Sequence, residues 1–222
     1  MHDIQTKILK ELLFKPVAKF SDLNVTDMTN DHFTFHIKRL VELELVQKTD
    51  SGYELSVSGK EFANRMDTDA LALERQAKTT VLLVCIKNNK YLVQQRLKQP
   101  YFGFHGFISG KTRWGETVSE TAIRELAEET GLAGVPQFIG MRHKMDYSVL
   151  GELLEDKFFF VTKFVNPTGK LIENYEGGKN IWLTEKDILK LPNLFPDMAE
   201  FLTLYKSKTF FFSEQKYKVE KY

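Results

Sequence analysis

The sequence predicts an α/β protein in which a mixed sheet is covered by helices, preceded by a small unit of helices with one β-hairpin. Three observations carry this. β-rich apolar runs, "TTVLLVCI", "YLVQQR" and "KFFFVTKFV", lie on both sides of an amphipathic helical stretch within residues 110–132, as in a layered sheet. Residues 1–67 instead show helical periodicity interrupted by one pair of short strands. The charge also changes: residues 1–70 hold nine Lys and Arg against twelve Asp and Glu, about −3, leaving 22 against 18, about +4, in the remainder.

In chain order, Ile4, Ile8, Leu9, Leu12 and Leu13 recur at helical spacing until Pro16 closes that element. "KFSDLN" offers a short second helix. A third runs from about Asn30 through "NDHFTFHIKRLVELELV", with Phe33, Ile37, Leu40, Val41 and Leu43 as its expected buried side. Two short strands then flank Asp50, Ser51 and Gly52, and "GKEFANRM" reads as another helix. Three helices and a two-stranded wing resemble the winged helix-turn-helix family over most of residues 2–67. The resemblance implies a domain at 1–70, with Lys38, Arg39 and Lys48 and the third-helix residues His32, Thr34 and His36 as candidate DNA contacts. The net charge of about −3 argues against DNA as a partner, because affinity depends on neutralising phosphates. The alternative is a protein contact or a homodimer surface.

"DTDALALERQAKTT" is charged and lacks a core pattern, so residues 71–78 read as a helical or mobile linker. Beyond it, "TTVLLVCI" and "YLVQQR" flank "KNNK", a hairpin. Further strands are expected at "QFIGMRHKM", "KFFFVTKFV" and "NIWL", followed by helices from about Thr184 and at "DMAEFLTLYK". These elements make a second domain at 79–207. Residues 208–222 read as an added strand or tail, with a packed strand favoured at Phe210 to Phe212.

Composition excludes several classes. The longest aliphatic run, Val81 to Ile86, is too short to span a membrane, and the start "MHDIQTKILKELLF" lacks a cleavable signal pattern, so a cytoplasmic location without membrane partners is expected. The single cysteine, Cys85, permits no intrachain disulfide and reads as a small buried strand residue.

The chemistry concentrates in "GKTRWGETVSETAIRELAEETGL", residues 110–132. At 100° per residue, Glu125, Glu128 and Glu129 share one arc, with Ile123, Leu126, Ala127 and Thr130 on the other, the face expected to pack on a sheet. A solvated acidic face is the ordinary reading of such a pattern. The fixed positions overturn it: Gly110, Glu116, Arg124, Glu125, Leu126, Glu128, Glu129, Gly131 and Leu132 satisfy a spaced motif that average residue usage would match by accident with probability on the order of 10⁻⁷. This motif resembles the Nudix box, and the resemblance extends over about residues 78–205. It implies an α/β/α sandwich that hydrolyses the pyrophosphate of a nucleoside diphosphate linked to another moiety, with Mg²⁺ as cofactor and Mn²⁺ able to substitute. By position it assigns metal binding and base support to Glu125, Glu128 and Glu129, a further ligand to the Gly110 carbonyl, and the orienting of the glutamates to Arg124. Glu116 falls to a structural or outer-shell role. Glu176, six residues before Trp182, matches a loop glutamate of such families; its alternative is a solvated loop residue. Ile108 and Ser109 depart from the Pro-Gly that many relatives carry before Gly110, altering the turn without removing a ligand.

Carboxylates crowded in this way are tolerable when hard divalent cations sit between them and an anionic diphosphate. Metal coordination acidifies bound water, and a carboxylate accepts its proton. Which glutamate is the base stays open. Lys111, Arg113 and Arg142 are candidate phosphate contacts or ordinary surface cations. Tyr147, sixteen residues after Gly131, occupies a position where diadenosine polyphosphate hydrolases often carry tyrosine. His105 and His143 read as hydrogen-bonded structural residues, and Phe104 and Phe107 as core. A Nudix-type transcription regulator that senses a nucleotide-like ligand is the alternative function.

Overall fold

The computed structural model describes every residue except 25–28, 205 and 207–208. It divides into two units, Met1–Arg75 and Gln76–Tyr222. The expected boundary at 207/208, the final Tyr of "DMAEFLTLY" and the first residue of the tail lie outside the described residues.

In the first unit, α1 (Asp3–Phe14), α2 (Phe20–Leu23) and α3 (Asn30–Glu42) precede a hairpin of β1 (Val46–Thr49) and β2 (Gly52–Leu55), then α4 (Val57–Asn64). His2 caps α1 by accepting from the Ile4 amide, while the Gln5 side chain accepts from the His2 amide. Ile8, Leu9, Leu23, Phe33, Ile37 and Leu40 form the core. Val41 and Leu43 are exposed, contrary to expectation. The buried arc of α3 runs through His36, Leu40, Phe33 and Ile37, so Val41 lies past its edge and Leu43 is the C-cap. The expected linker also contains structure: β3 (Met66–Asp67) pairs antiparallel with β4 (Ala72–Leu73). Its lack of an apolar pattern reflects a hairpin whose second strand is exposed.

The second unit contains β5 (Lys78–Lys87), β6 (Lys90–Arg96), β7 (His105–Gly106), β8 (Ile108–Lys111), α5 (Val118–Thr130), β9 (Leu132–Ala133), β10 (Gln137–Ser148), β11 (Leu153–Val165), β12 (Thr168–Gly169), β13 (Asn174–Tyr175), β14 (Gly178–Leu183), α6 (Glu185–Ile188), α7 (Met198–Leu204) and β15 (Phe211–Val219). The main sheet is mixed, in the order β13-β14-β6-β5-β11-β10-β15 among the described residues. β5 and β6 pair only beside their turn, where Asn88 and Asn89 take positive φ. They then diverge, β8 pairing with β5 and β7 with β6. This wedge carries Gly110 into the sheet.

Alternate residues of β5 feed two cores. Val81, Leu83 and Cys85 pack with Ala122 and Leu126 of α5. Val84 packs with Ile188 of α6 and Phe201 of α7 on the other face. The result is helix, sheet and helix in layers. The C-terminal segment is a strand, β15, parallel to β10. It starts at Phe211; Phe210 and Phe212 are exposed. Among the described residues no helix is long and apolar enough to cross a membrane.

Candidate active site

Helix α5 is fixed at both ends by its sequence. The Thr117 side chain accepts from the Glu120 amide while the Glu120 carboxylate accepts from the Thr117 amide, closing a capping box. Gly131 ends the helix at φ +70, where a Cβ would also meet the Lys170 carbonyl oxygen at 2.9 Å. Between these ends Thr121, Ala122, Glu125, Leu126, Glu129 and Thr130 are buried. Ile123 and Ala127, expected inside, are exposed. The helix is therefore rotated so that Glu125 and Glu129 face inward, while Glu128 stays half exposed.

Arg124 organises this face. Its Nε and Nη2 donate to the two Glu116 carboxylate oxygens at 2.6 and 2.8 Å, and its Nη1 donates to Glu125 at 2.6 Å and Glu128 at 3.1 Å. Nη2 also donates to the Lys111 carbonyl, tying helix to strand β8. This fork holds Glu116 at a pKa of about 2. Glu125 behaves oppositely: burial raises its pKa, and although Arg124 opposes this, the neighbouring Glu129 and Glu128 add to it. Glu125 lies directly over Gly110, where a Cβ would fall 1.8 Å from its Cδ. The glycine is needed for this close approach. Glu129 accepts from Gln94 Nε2 at 2.9 Å, with Lys98 Nζ at 3.9 Å. Asn180 of β14 binds the Glu129 carbonyl at 2.7 Å and accepts from Gln94, locking the helix end to the sheet.

Gly110, Arg124, Glu125, Glu128 and Glu129 line a cavity of about 870 Å³ that also receives Lys98, Arg113, Tyr175 and residues of β10, β11 and α7. Among the described residues, no three His, Cys, Asp or Glu side chains already converge as an ion cage. The donor set nonetheless fits a hard divalent cation. It consists of carboxylate oxygens at Glu125, Glu128 and Glu129 beside a glycine that a side chain would block.

The remaining expected residues divide. Arg113 lines the cavity and donates to Glu128 at 3.2 Å. Arg142 does not: it is fully buried, donating to Glu200 at 2.9 Å and to the Tyr217 hydroxyl, with Asp197 at 3.6 Å. Its guanidinium is consumed by this cluster, which corrects its expected phosphate contact. Tyr147 lies outside the cavity lining, its ring under Lys216 Nζ at 5.8 Å. Glu176 is exposed in the β13–β14 turn and also lies outside the lining; the preceding Tyr175 faces the cavity instead, and burial and then Glu129 raise its pKa. Phe107 is core, and His143 sits between Asp156 at 2.8 Å and Glu214 at 2.7 Å. Sequence reasoning missed Gln94 and Lys98. Their only signal was position, in and just beyond the "VQQR" strand.

The profile of the NUDIX domain family matches residues 76–205. The chain belongs to this family. This Nudix chain is 28% identical over 111 residues to an ADP-ribose pyrophosphatase of Methanocaldococcus jannaschii, an alignment covering 48% of the chain and 66% of the relative, just under two thirds of its length. Among solved structures, a mutator MutT protein from Bacillus halodurans superposes at TM-score 0.55 with 22% identity, over 64% of this chain and 90% of that one. The Nudix domain of Shewanella oneidensis NrtR, solved with ADP ribose, superposes at TM-score 0.50 with 19% identity, over 65% and 94%. At these identities the structural likeness shows the Nudix fold.

Proposed function

We propose that this chain is a metal-dependent pyrophosphohydrolase acting on a nucleoside diphosphate joined to a second group, of the ADP-ribose kind. The observation that carries this is the packing of Glu125 over Gly110, with Arg124 bridging Glu116, Glu125 and Glu128 at the wall of one cavity. The similarity to an ADP-ribose pyrophosphatase supports the substrate class.

Glu125, Glu128, Glu129 and the Gly110 carbonyl would hold Mg²⁺, or Mn²⁺ in its place. When bound, the divalent ion neutralises the diphosphate and acidifies a coordinated water. Arg124 keeps Glu125 and Glu128 side by side, so little reorganisation is required on binding. Gln94 and Asn180 fix Glu129 from behind through its side chain and backbone. Arg113 and Lys98 are cations at the cavity able to meet phosphate oxygens. A carboxylate of the helix accepts the proton of the attacking water.

Incubation with Mg²⁺ and a panel of nucleoside diphosphate derivatives tests the reading. Hydrolysis of an ADP-ribose-like compound is expected, falling by about 100-fold or more in Glu129→Gln without loss of fold. Tight ligand binding with no product would favour a sensor instead. That second reading draws on the order of three helices and a hairpin in the first unit, which supports a winged helix, with Lys38 and Arg39 exposed on α3. Salt-dependent DNA retention, lost on deletion of residues 1–70, would support it.

A further inference from the structure

The wall formed by β5, β11 and β10 carries charge where a sheet interior ordinarily carries apolar side chains. In register across these strands lie Lys78, Lys157 and Lys144, and the next row on the same face pairs Asp146 with Glu155. Asp197, preceding α7, completes the set, and all six residues line the cavity. Lys144, Asp146 and Glu155 are each at most 5% exposed. Lys78 and Lys157 reach Glu155 at 2.8 and 3.3 Å, and Lys144 reaches Asp146 and Asp197 at 3.3 and 3.6 Å. Burying ion pairs of this kind contributes little to stability compared with apolar packing, so fold energetics alone give no reason for the arrangement.

One atom points to a ligand. Asp146 Oδ2 accepts from the Tyr101 hydroxyl at 2.7 Å, whereas its Oδ1 is buried without a hydrogen bond, the nearby Lys144 lying outside hydrogen-bonding geometry. A buried carboxylate oxygen that has an ion-pair neighbour but no hydrogen bond leaves free energy that a donor on a ligand would recover. We infer that this wall is the subsite for the second, non-nucleoside group of the substrate, and that it selects a neutral, hydroxyl-rich group, with Asp146 Oδ1 accepting one of its hydroxyls. The inference rests on the proposed diphosphate chemistry at α5.

The charge balance selects among groups. Three lysines face three carboxylates, so a further phosphate gains no net attraction, and an apolar group would desolvate paired charges. A hydroxyl donates to a carboxylate and accepts from an ammonium, matching a wall of alternating acceptors and donors. Two rings, Phe195 and Tyr217, already lie against Lys144 Nζ, at 5.2 and 5.4 Å.

The test is calorimetric binding of ADP-ribose, ADP and GDP, with Mg²⁺, to the Glu129→Gln protein alone and combined with Asp146→Asn. The single variant is expected to bind ADP-ribose about tenfold tighter than ADP, and the double variant to lose that preference while its ADP affinity stays within about twofold. Equal binding of ADP-ribose and ADP by the single variant, a preference that survives Asp146→Asn, or a change in the ADP-to-GDP ratio would each overturn the inference. So would binding of none of the three. Should Asp146→Asn misfold, Tyr101→Phe leaves Asp146 in place without its bond; an altered ADP-ribose preference is then expected, and an unaltered one refutes. A wild-type protein that hydrolyses nothing while this preference is present would sink the hydrolase reading and leave the subsite standing.

Discussion

Substituting Gly110 by alanine separates the proposed chemistry from the fold. The new Cβ would fall 1.8 Å from Glu125 Cδ and 2.2 Å from both of its oxygens, so the carboxylate must retreat by roughly 1.6 Å to reach ordinary contact at 3.4 Å. The colliding atoms are the free end of a side chain, so backbone and helix can stay in place. The retreat breaks the 2.6 Å bond from Arg124 Nη1, a charge-assisted contact worth about 1.5–3 kcal/mol. Two terms offset that loss: the lower unfolded-state entropy of alanine, about 0.4–1 kcal/mol, and the easier hydration of a carboxylate whose burial raises its pKa. Net destabilisation should therefore stay below about 2 kcal/mol. A ligand displaced by more than 1 Å should cost about 100-fold in turnover. Thermal denaturation and steady-state kinetics on the same preparation read both quantities. Turnover within twofold of wild type, or unfolding by about 4 kcal/mol or more, would refute the reasoning.

Two more perturbations reach other parts of the molecule. Arg124→Lys keeps the charge but loses the planar fork across Glu116, Glu125 and Glu128, so turnover should fall about 10- to 100-fold with the fold retained, measured by kinetics and circular dichroism. His143 joins β10 to Asp156 of β11 and Glu214 of β15 while stacking on Phe158 at 4.1 Å. Burial works against its charge, but the two carboxylates prevail and raise its pKa above 6.5. The protonated ring therefore stabilises fully below that value, and the contribution is lost as pH rises through the higher folded pKa. Melting temperatures of wild type and His143→Gln should converge between pH 6 and pH 9; a gap that widens would contradict this.

The site helix was legible because its motif specifies several roles within 23 residues, from Gly110 to Leu132. Each role has a local cause: a capping box, a left-handed glycine stop and a glycine under a carboxylate. The rotation of α5 was not legible. Helical spacing shows that Glu125, Glu128 and Glu129 neighbour one another, but the wedge of β7 and β8 decides that two of them turn inward. Strand β10 misled more deeply. Gly140, Arg142, Lys144 and Asp146 are its buried residues, an alternation in which the charged side faces the interior. A binary reading of "RHKMDY" sends those charged residues to solvent, and only partners distant in sequence, Tyr101, Asp197, Glu200 of α7 and Tyr217 of β15, make their burial tolerable. The position of β15 was equally hidden, since a parallel edge pairing depends on contacts distant in sequence. In the first unit, helices and hairpin followed from local periodicity, whereas β3 and β4 are too short to register.

Mn²⁺ uptake followed by electron paramagnetic resonance, in the presence of ADP, addresses the α5 carboxylates most directly. The account predicts saturable uptake by the folded wild type, weakened by about 10-fold or more in Glu129→Gln. A folded wild-type protein that takes up no Mn²⁺, or a variant that takes it up equally well, would contradict it.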